Sequence, residues 1–148
     1  MGRPCLNPRV PDSMETLRAA VEVVLPAGDG IPSGLEIHAE DHIRDGLELS
    51  MGGATDLLAA LLDGAATERG ASDFVSLDEG ERLAVIRGML SEEIADIREL
   101  AEAILVFGFG AVYSEWSGYR TGTLEPPGVW KTIGFSGPSP GYPVYRDA

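Results

Sequence analysis

The chain has 148 residues, a hydrophobic content of 44% and a formal net charge of −13 at pH 7. This length predicts one domain that can bury a core without disulfides or metal, and a single cysteine, Cys5, excludes an intrachain disulfide. The negative charge argues against binding to nucleic acid or to an anionic membrane. No apolar run reaches the roughly 18 residues of a membrane-spanning helix, so membrane insertion is not expected.

The first eleven residues are rich in proline and show no hydrophobic period. We therefore expect residues 1–11 to form a flexible leader to the domain. They contain no apolar run of the length of a signal peptide, which favours a cytoplasmic protein. The alternative is an exported protein whose leader is absent from this sequence.

The next segments carry apolar residues at helical spacing. The first helix is predicted to begin at Asp12, in a capping-box pattern, and to end before Pro26. The second is predicted from a cap formed by Ser33 and Glu36, and the third is predicted to end near Gly70.

Two further helices complete the predicted bundle. The fourth follows a cap at Ser76, and the fifth begins at about Glu92. From Ala103 to Val112 the fifth helix is apolar on every side, which is typical of a central helix. Gly108 and Gly110 lie in that stretch, and they predict the close approach of another backbone.

The predicted fold class is all-α. The valines and tyrosines of the last third of the chain are interrupted by proline and glycine, which argues against strands. We expect a bundle of about five antiparallel helices over residues 12–114. A long irregular tail rich in glycine, proline and aromatic residues, 115–148, is expected to wrap around the same domain.

This tail is predicted to contact a partner protein. It carries three acidic and three basic residues, so residues 1–114 hold the whole charge imbalance. Charged residues are depleted at the centres of interfaces, where aromatic residues are enriched. The predicted contact residues are Tyr113, Trp116, Trp130, Phe135, Tyr142 and Tyr145. The alternative for each ring is that it only seals the tail onto the helices of its own chain.

The two histidines of the chain are the strongest candidates for a metal site. His38 and His42 are four residues apart, with Glu40 and Asp41 between them, and this spacing can place two imidazoles on one metal. Ala39 stands where the zinc motif HExxH needs glutamate. We interpret the histidines as part of a solvated helix face with His42 leaning on the edge of the core, and we keep a small metal-dependent enzyme as an alternative.

Two other motif matches lack the structural context that their chemistry needs. The sequence GPSPG at 137–141 matches the GxSxG nucleophile elbow, but two prolines flank the serine and no strand precedes it. Gly108 to Gly110 begins a dinucleotide fingerprint, but Tyr113 replaces the third glycine. The sequence therefore predicts no catalytic, cofactor-binding or metal-binding residue.

Three blocks of the chain form a combined pattern. They are Thr16-Leu17-Arg18 through Val24-Leu25-Pro26; Phe74, Leu77 and Arg82; and, between Phe107 and Tyr145, Gly110, Tyr113, Ser114, Val129-Trp130, Ile133-Gly134-Phe135-Ser136-Gly137-Pro138 and Gly141-Tyr142-Pro143. This pattern resembles the small subunit 3 family of gluconate 2-dehydrogenase and related flavin-dependent sugar dehydrogenases.

The resemblance implies a chaperone-like helper subunit that holds no cofactor itself. It would stabilise or mature a large FAD-containing subunit of the glucose-methanol-choline (GMC) type in a hetero-oligomer. Oxidation of a sugar, glycoside or alcohol would take place on the flavin of that partner. The alternative is a stand-alone helical protein-binding module without a flavoprotein partner.

Overall fold

The computed structural model describes residues 12–114 and 128–135. Within these ranges the fold is all-α, which confirms the predicted fold class. The helices are α1 (Ser13–Val24), α2 (Ala39–Ser50), α3 (Ala54–Glu68), α4 (Glu79–Leu90), α5 (Ala95–Ser114) and the short α6 (Gly128–Thr132). The predicted leader and most of the predicted tail lie outside the described residues.

Helices α1, α2, α3, α4 and α5 share one hydrophobic core. Its largest fully buried side chains are Phe74, Ile43, Leu58, Leu62, Ile86 and Ile104. Burying a side chain of this size contributes roughly 1.5–3 kcal/mol. Val129 of α6 is also fully buried and belongs to the same core, so α6 packs on the bundle. None of the helices in the described ranges is both long and apolar enough to cross a bilayer.

Helix α5 is central, because it packs against each of the five other helices. Leu100, Ala101 and Ile104 are buried on its inner side. The outer side of the predicted all-apolar stretch faces solvent instead, beginning at Val106. The sequence therefore predicted the central place of α5 in the bundle, but an apolar composition on every side could not indicate which side is exposed.

The predicted start of α2 at Ser33 is wrong. Ser33 and Glu36 do form the reciprocal pair that the sequence suggests, because Glu36 N donates to Ser33 Oγ at 3.2 Å and Ser33 N donates to Glu36 Oε2 at 2.7 Å. This pair closes a turn. His38 then adopts a left-handed conformation with φ +55°, so the helix begins only at Ala39.

Asp78, two residues after the predicted Ser76, is the N-cap of α4. The amide of Glu81 donates to Asp78 Oδ1 at 2.8 Å, and the amide of Asp78 donates to Glu81 Oε2 at 3.3 Å. Ser76 instead donates through its amide to Asp73 Oδ1 at 2.7 Å. Two overlapping capping-box patterns occur in this sequence, and the structure uses the second.

The nearest neighbours of the glycines in α5 are side chains, whereas the sequence predicted the close approach of another backbone. A Cβ at Gly108 would lie 2.9 Å from Leu25 Cδ1, and one at Gly110 would lie 3.4 Å from His42 Nε2. Across the contact between α2 and α5, a Cβ at Gly46 would lie 2.7 Å from the Phe107 ring. Helices α2 and α5 therefore interlock through glycine on both sides.

Candidate functional site

The C-terminal half of α5 exposes an apolar face. Val106 is 65% exposed, Phe109 48% and Tyr113 51%. The three residues lie at positions i, i+3 and i+7, so they share one face of the helix. Single exposed apolar residues are ordinary on protein surfaces, whereas an aligned set of large ones marks a surface that can bind another molecule.

Helix α6 extends this face through Trp130. The Trp130 side chain is half-buried against the core, and its Nε1 donates to the carbonyl of Tyr113 at 2.9 Å. The last carbonyls of a helix have no partner within the helix. Trp130 therefore satisfies one of them and fixes α6 beside the end of α5.

Phe135 completes the exposed surface. Its ring meets Trp130 edge-on, with the ring centroids 5.0 Å apart and an interplanar angle of 87°. It remains 49% exposed on its other side. We call the set of Val106, Phe109, Tyr113, Trp130 and Phe135 the α5–α6 surface.

The structure brings together three of the six predicted contact residues. Tyr113, Trp130 and Phe135 are neighbours in the α5–α6 surface, and Trp130 combines a sealing role with contact to Phe135. The other three, Trp116, Tyr142 and Tyr145, lie outside the described residues. Sequence reasoning missed Val106 and Phe109, the two members from the middle of α5, because every side of that stretch is apolar.

A shallow cavity of about 280 Å³ lies beside the α5–α6 surface. The loop between α1 and α2 forms one wall of this cavity, and Phe109 and Tyr113 form the other. Thr132 Oγ1 donates to the carbonyl of Gly30 at 3.4 Å, which ties α6 to this loop. The loop between α1 and α2, helix α5 and helix α6 therefore contact one another beside the exposed rings.

The two histidines do not share a helix face, contrary to the sequence interpretation, but His42 does lean on the edge of the core as predicted. His38 precedes α2, and its Nδ1 lies 3.6 Å from Glu40 Oε1 on the side that faces α1. His42 points toward α5, where its ring meets Phe107 edge-on at 6.3 Å. The left-handed residue at the start of α2 is the physical reason for this separation.

His38, Glu40 and Asp41 form a different cluster that could bind a cation. One ligand atom from each lies within 4.8 Å of the others. Both carboxylates, however, already pair with guanidinium groups: Arg18 Nε lies 3.3 Å from Glu40 Oε1, and Arg44 Nη1 lies 2.8 Å from Asp41 Oδ1. A cation would have to compete with these arginines, so we interpret the cluster as a structural ion-pair network.

The environment of His42 makes the stability of the fold dependent on pH. Burial against α5 lowers the pKa of His42 from its ordinary value of 6.5, and the charge of Asp45 opposes part of this effect. Because the fold lowers this pKa, protonation favours the unfolded chain. The contribution of the neutral ring is complete above pH 6.5 and is lost as the pH falls through 6.5 toward the folded-state pKa.

We therefore expect a His42→Gln variant to show a weaker loss of stability on acidification than the unchanged protein. The measurement is the free energy of unfolding in urea at about pH 7.5 and about pH 5.5, a window above the range in which most carboxyl groups titrate. The same loss in both proteins would show that His42 does not titrate differently in the fold.

The described residues thus offer the apolar α5–α6 surface and the ion-paired cluster around Glu40 as features with functional potential. The first has the exposed aromatic rings that anchor protein interfaces. In the second, each carboxylate pairs with an arginine of the same chain. No protein-family model matches this chain, and no curated protein or solved structure matches it either.

Proposed function

We propose that this chain is the small non-catalytic accessory subunit of an FAD-dependent oxidoreductase of the GMC type. The observation that supports this proposal is the α5–α6 surface, in which Tyr113 and Phe135 stand half-exposed around Trp130. The class of partner comes from the resemblance in the block from Phe107 to Tyr145. The chain stabilises or matures the large subunit, and a sugar, glycoside or alcohol is oxidised on the flavin of that partner.

The exposed rings can supply substantial binding energy. Covering half of an aromatic side chain removes roughly 100 Å² from water, which contributes about 2–3 kcal/mol. Rings that fill pockets near the centre of an interface often dominate its affinity. Trp130 holds Phe135 in place before binding, so little side-chain entropy is lost when the partner covers it.

The distribution of charge favours a different protein over a second copy as the partner. The α5–α6 surface contains no ionised side chain, whereas the chain as a whole carries a net charge of −13. Two such acidic bodies repel each other. A hetero-oligomer with a less acidic protein avoids this repulsion and still covers the apolar surface.

The test is co-expression of the tagged chain with a large GMC-type flavoprotein from the same genome. We expect a yellow complex that contains FAD to copurify with the unchanged chain. Replacing two hot-spot rings in the variant Tyr113→Asn/Phe135→Asn is expected to weaken binding at least about 30-fold. A matched control is Leu49→Asn, because Leu49 is 90% exposed on α2 and lies outside the α5–α6 surface.

Two results would contradict the proposal in different ways. If the unchanged chain purifies as a folded monomer and no FAD-containing protein accompanies it, the chain is a stand-alone binding module. If both variants copurify with the flavoprotein as well as the unchanged chain does, the partner binds elsewhere. The Leu49→Asn control separates a local loss of contact from a general effect of removing an exposed apolar side chain.

A further inference from the structure

A second apolar surface, distinct from the α5–α6 surface, is a groove between α2, α3 and α5. Its volume is about 500 Å³, within the range of ligand-binding sites. Its apolar lining consists of Leu47, Met51, Ala54, Leu57, Leu100, Ala103 and Phe107. Met51 and Leu57 remain about half-exposed, so the groove leaves apolar area uncovered in the described part of the chain.

The charged groups at this groove are all acidic. Asp96 and Glu99 lie on its edge, and no lysine, arginine or histidine lines it. Neither carboxylate takes part in an ion pair among the described residues. A complementary occupant is therefore an apolar segment that carries positive charge and no negative charge.

We propose that residues 1–11 of this same chain occupy the groove. Their sequence, MGRPCLNPRVP, contains Arg3 and Arg9, no acidic residue, and the apolar side chains Leu6 and Val10. Residues 12–114 are strongly acidic, so this segment differs from the bundle in the sign of its charge, which is the sign that complements the acidic groove. The arginines pair with Asp96 and Glu99, and the apolar side chains cover the lining.

The position of α1 places this segment at the edge of the groove. Ser13, the first residue of α1, donates through its hydroxyl to Asp56 in the first turn of α3. Asp56 is followed directly by Leu57, which lines the groove. The chain that precedes Asp12 therefore starts beside the site that it is proposed to occupy.

The length of the segment is also sufficient. The groove follows α5 from Asp96 to Phe107, a distance of roughly 16 Å at the rise of an α-helix. Eleven extended residues reach up to about 36–40 Å. A second copy of the chain is a poorer occupant, because its net charge of −13 would meet the acidic edge of the groove.

Cys5 makes a direct test possible, because it is the sole cysteine of the chain and lies within the segment. A nitroxide spin label on Cys5 of the full chain is expected to broaden the amide NMR signals of Leu57, Ala103 and Phe107, at least about halving their intensity relative to the reduced label. The signal of Gly88 on α4, outside the groove, is the internal control and is expected to keep its intensity.

Charge reversal tests the chemistry of the contact. The variant Arg3→Glu/Arg9→Glu is expected to lose most of the broadening, and adding Asp96→Lys/Glu99→Lys to it is expected to restore the effect. A merely structural role of the two carboxylates would not produce this restoration. The measurement does not depend on the flavoprotein partner, so the two proposals can fail separately.

Three results would overturn the inference. Unchanged intensities at Leu57, Ala103 and Phe107 would show that the segment does not occupy the groove. Broadening in a mixture of labelled chains with isotope-enriched unlabelled chains would show that the segment of another copy does so. Shifts of the same signals only when the large flavoprotein is added would assign the groove to that partner.

Discussion

Replacing Phe74 by alanine is expected to lower the free energy of unfolding by about 3–5 kcal/mol. Phe74 lies between α3 and α4, is fully buried and belongs to the central core. Its amide donates to Asp63 Oδ1 at 3.0 Å, which fixes the backbone at this position. Because the backbone is held, the structure can collapse only partly around the missing ring. Urea denaturation followed by far-UV circular dichroism measures the change.

The matched control for Phe74 is Phe109→Ala, the same substitution at a ring that is half-exposed on α5. We expect this variant to lose about 1 kcal/mol or less, because little apolar area is uncovered and no core cavity forms. Equal losses in the two variants would contradict the burial of Phe74. The two alanine variants also serve as references for the partner-binding test, because they distinguish a weakened fold from a weakened interface.

Much of the bundle was predictable because its helices have both periodicity and clear ends. The first helix begins with Asp12 as its N-cap and ends before Pro26, as the sequence indicates. The third ends at Glu68, close to Gly70, whose φ is +87°. Proline and glycine fix the backbone locally, so these signals do not depend on the rest of the fold.

The errors occurred where a local signal was correct but was used differently by the fold. The Ser33–Glu36 hydrogen bonds form, yet they close a turn, because His38 adopts a left-handed conformation that the capping pattern does not reveal. At α4 two capping patterns overlap by two residues, and local chemistry cannot rank them. Both errors shift the start of a helix without changing the order of the helices.

The candidate site was predictable in its chemistry more than in its geometry. The aromatic residues from the end of α5 onward indicated Tyr113, Trp130 and Phe135, and the structure places them side by side. Val106 and Phe109 were hidden, because every side of that stretch of α5 is apolar and periodicity cannot then identify the outer face. The groove proposed for residues 1–11 depends on three helices, and no sequence pattern reveals it.

Replacing Gly34 by alanine is expected to destabilise the fold by about 1–3 kcal/mol. A Cβ at this position would lie 2.6 Å from Val21 Cγ1 and 2.8 Å from Leu25 Cβ. Both neighbours are buried, and Leu25 Cβ is attached directly to the backbone, so neither can move aside cheaply. The amide of Gly34 also donates to the carbonyl of Leu25 at 2.8 Å, which holds the two segments together.

Gly28→Ala is the matched control in the same loop, because a Cβ at Gly28 would meet nothing within 4 Å. We expect its effect on the free energy of unfolding to stay within about 0.5 kcal/mol.

In a double-mutant cycle, Val21→Ala should cost less in the Gly34→Ala background than alone, because the smaller side chain makes room for the new methyl group. Strict additivity would contradict the contact. Since this loop also holds α6 through Gly30, Gly34→Ala should disturb the α5–α6 surface as well, and Gly28→Ala should not.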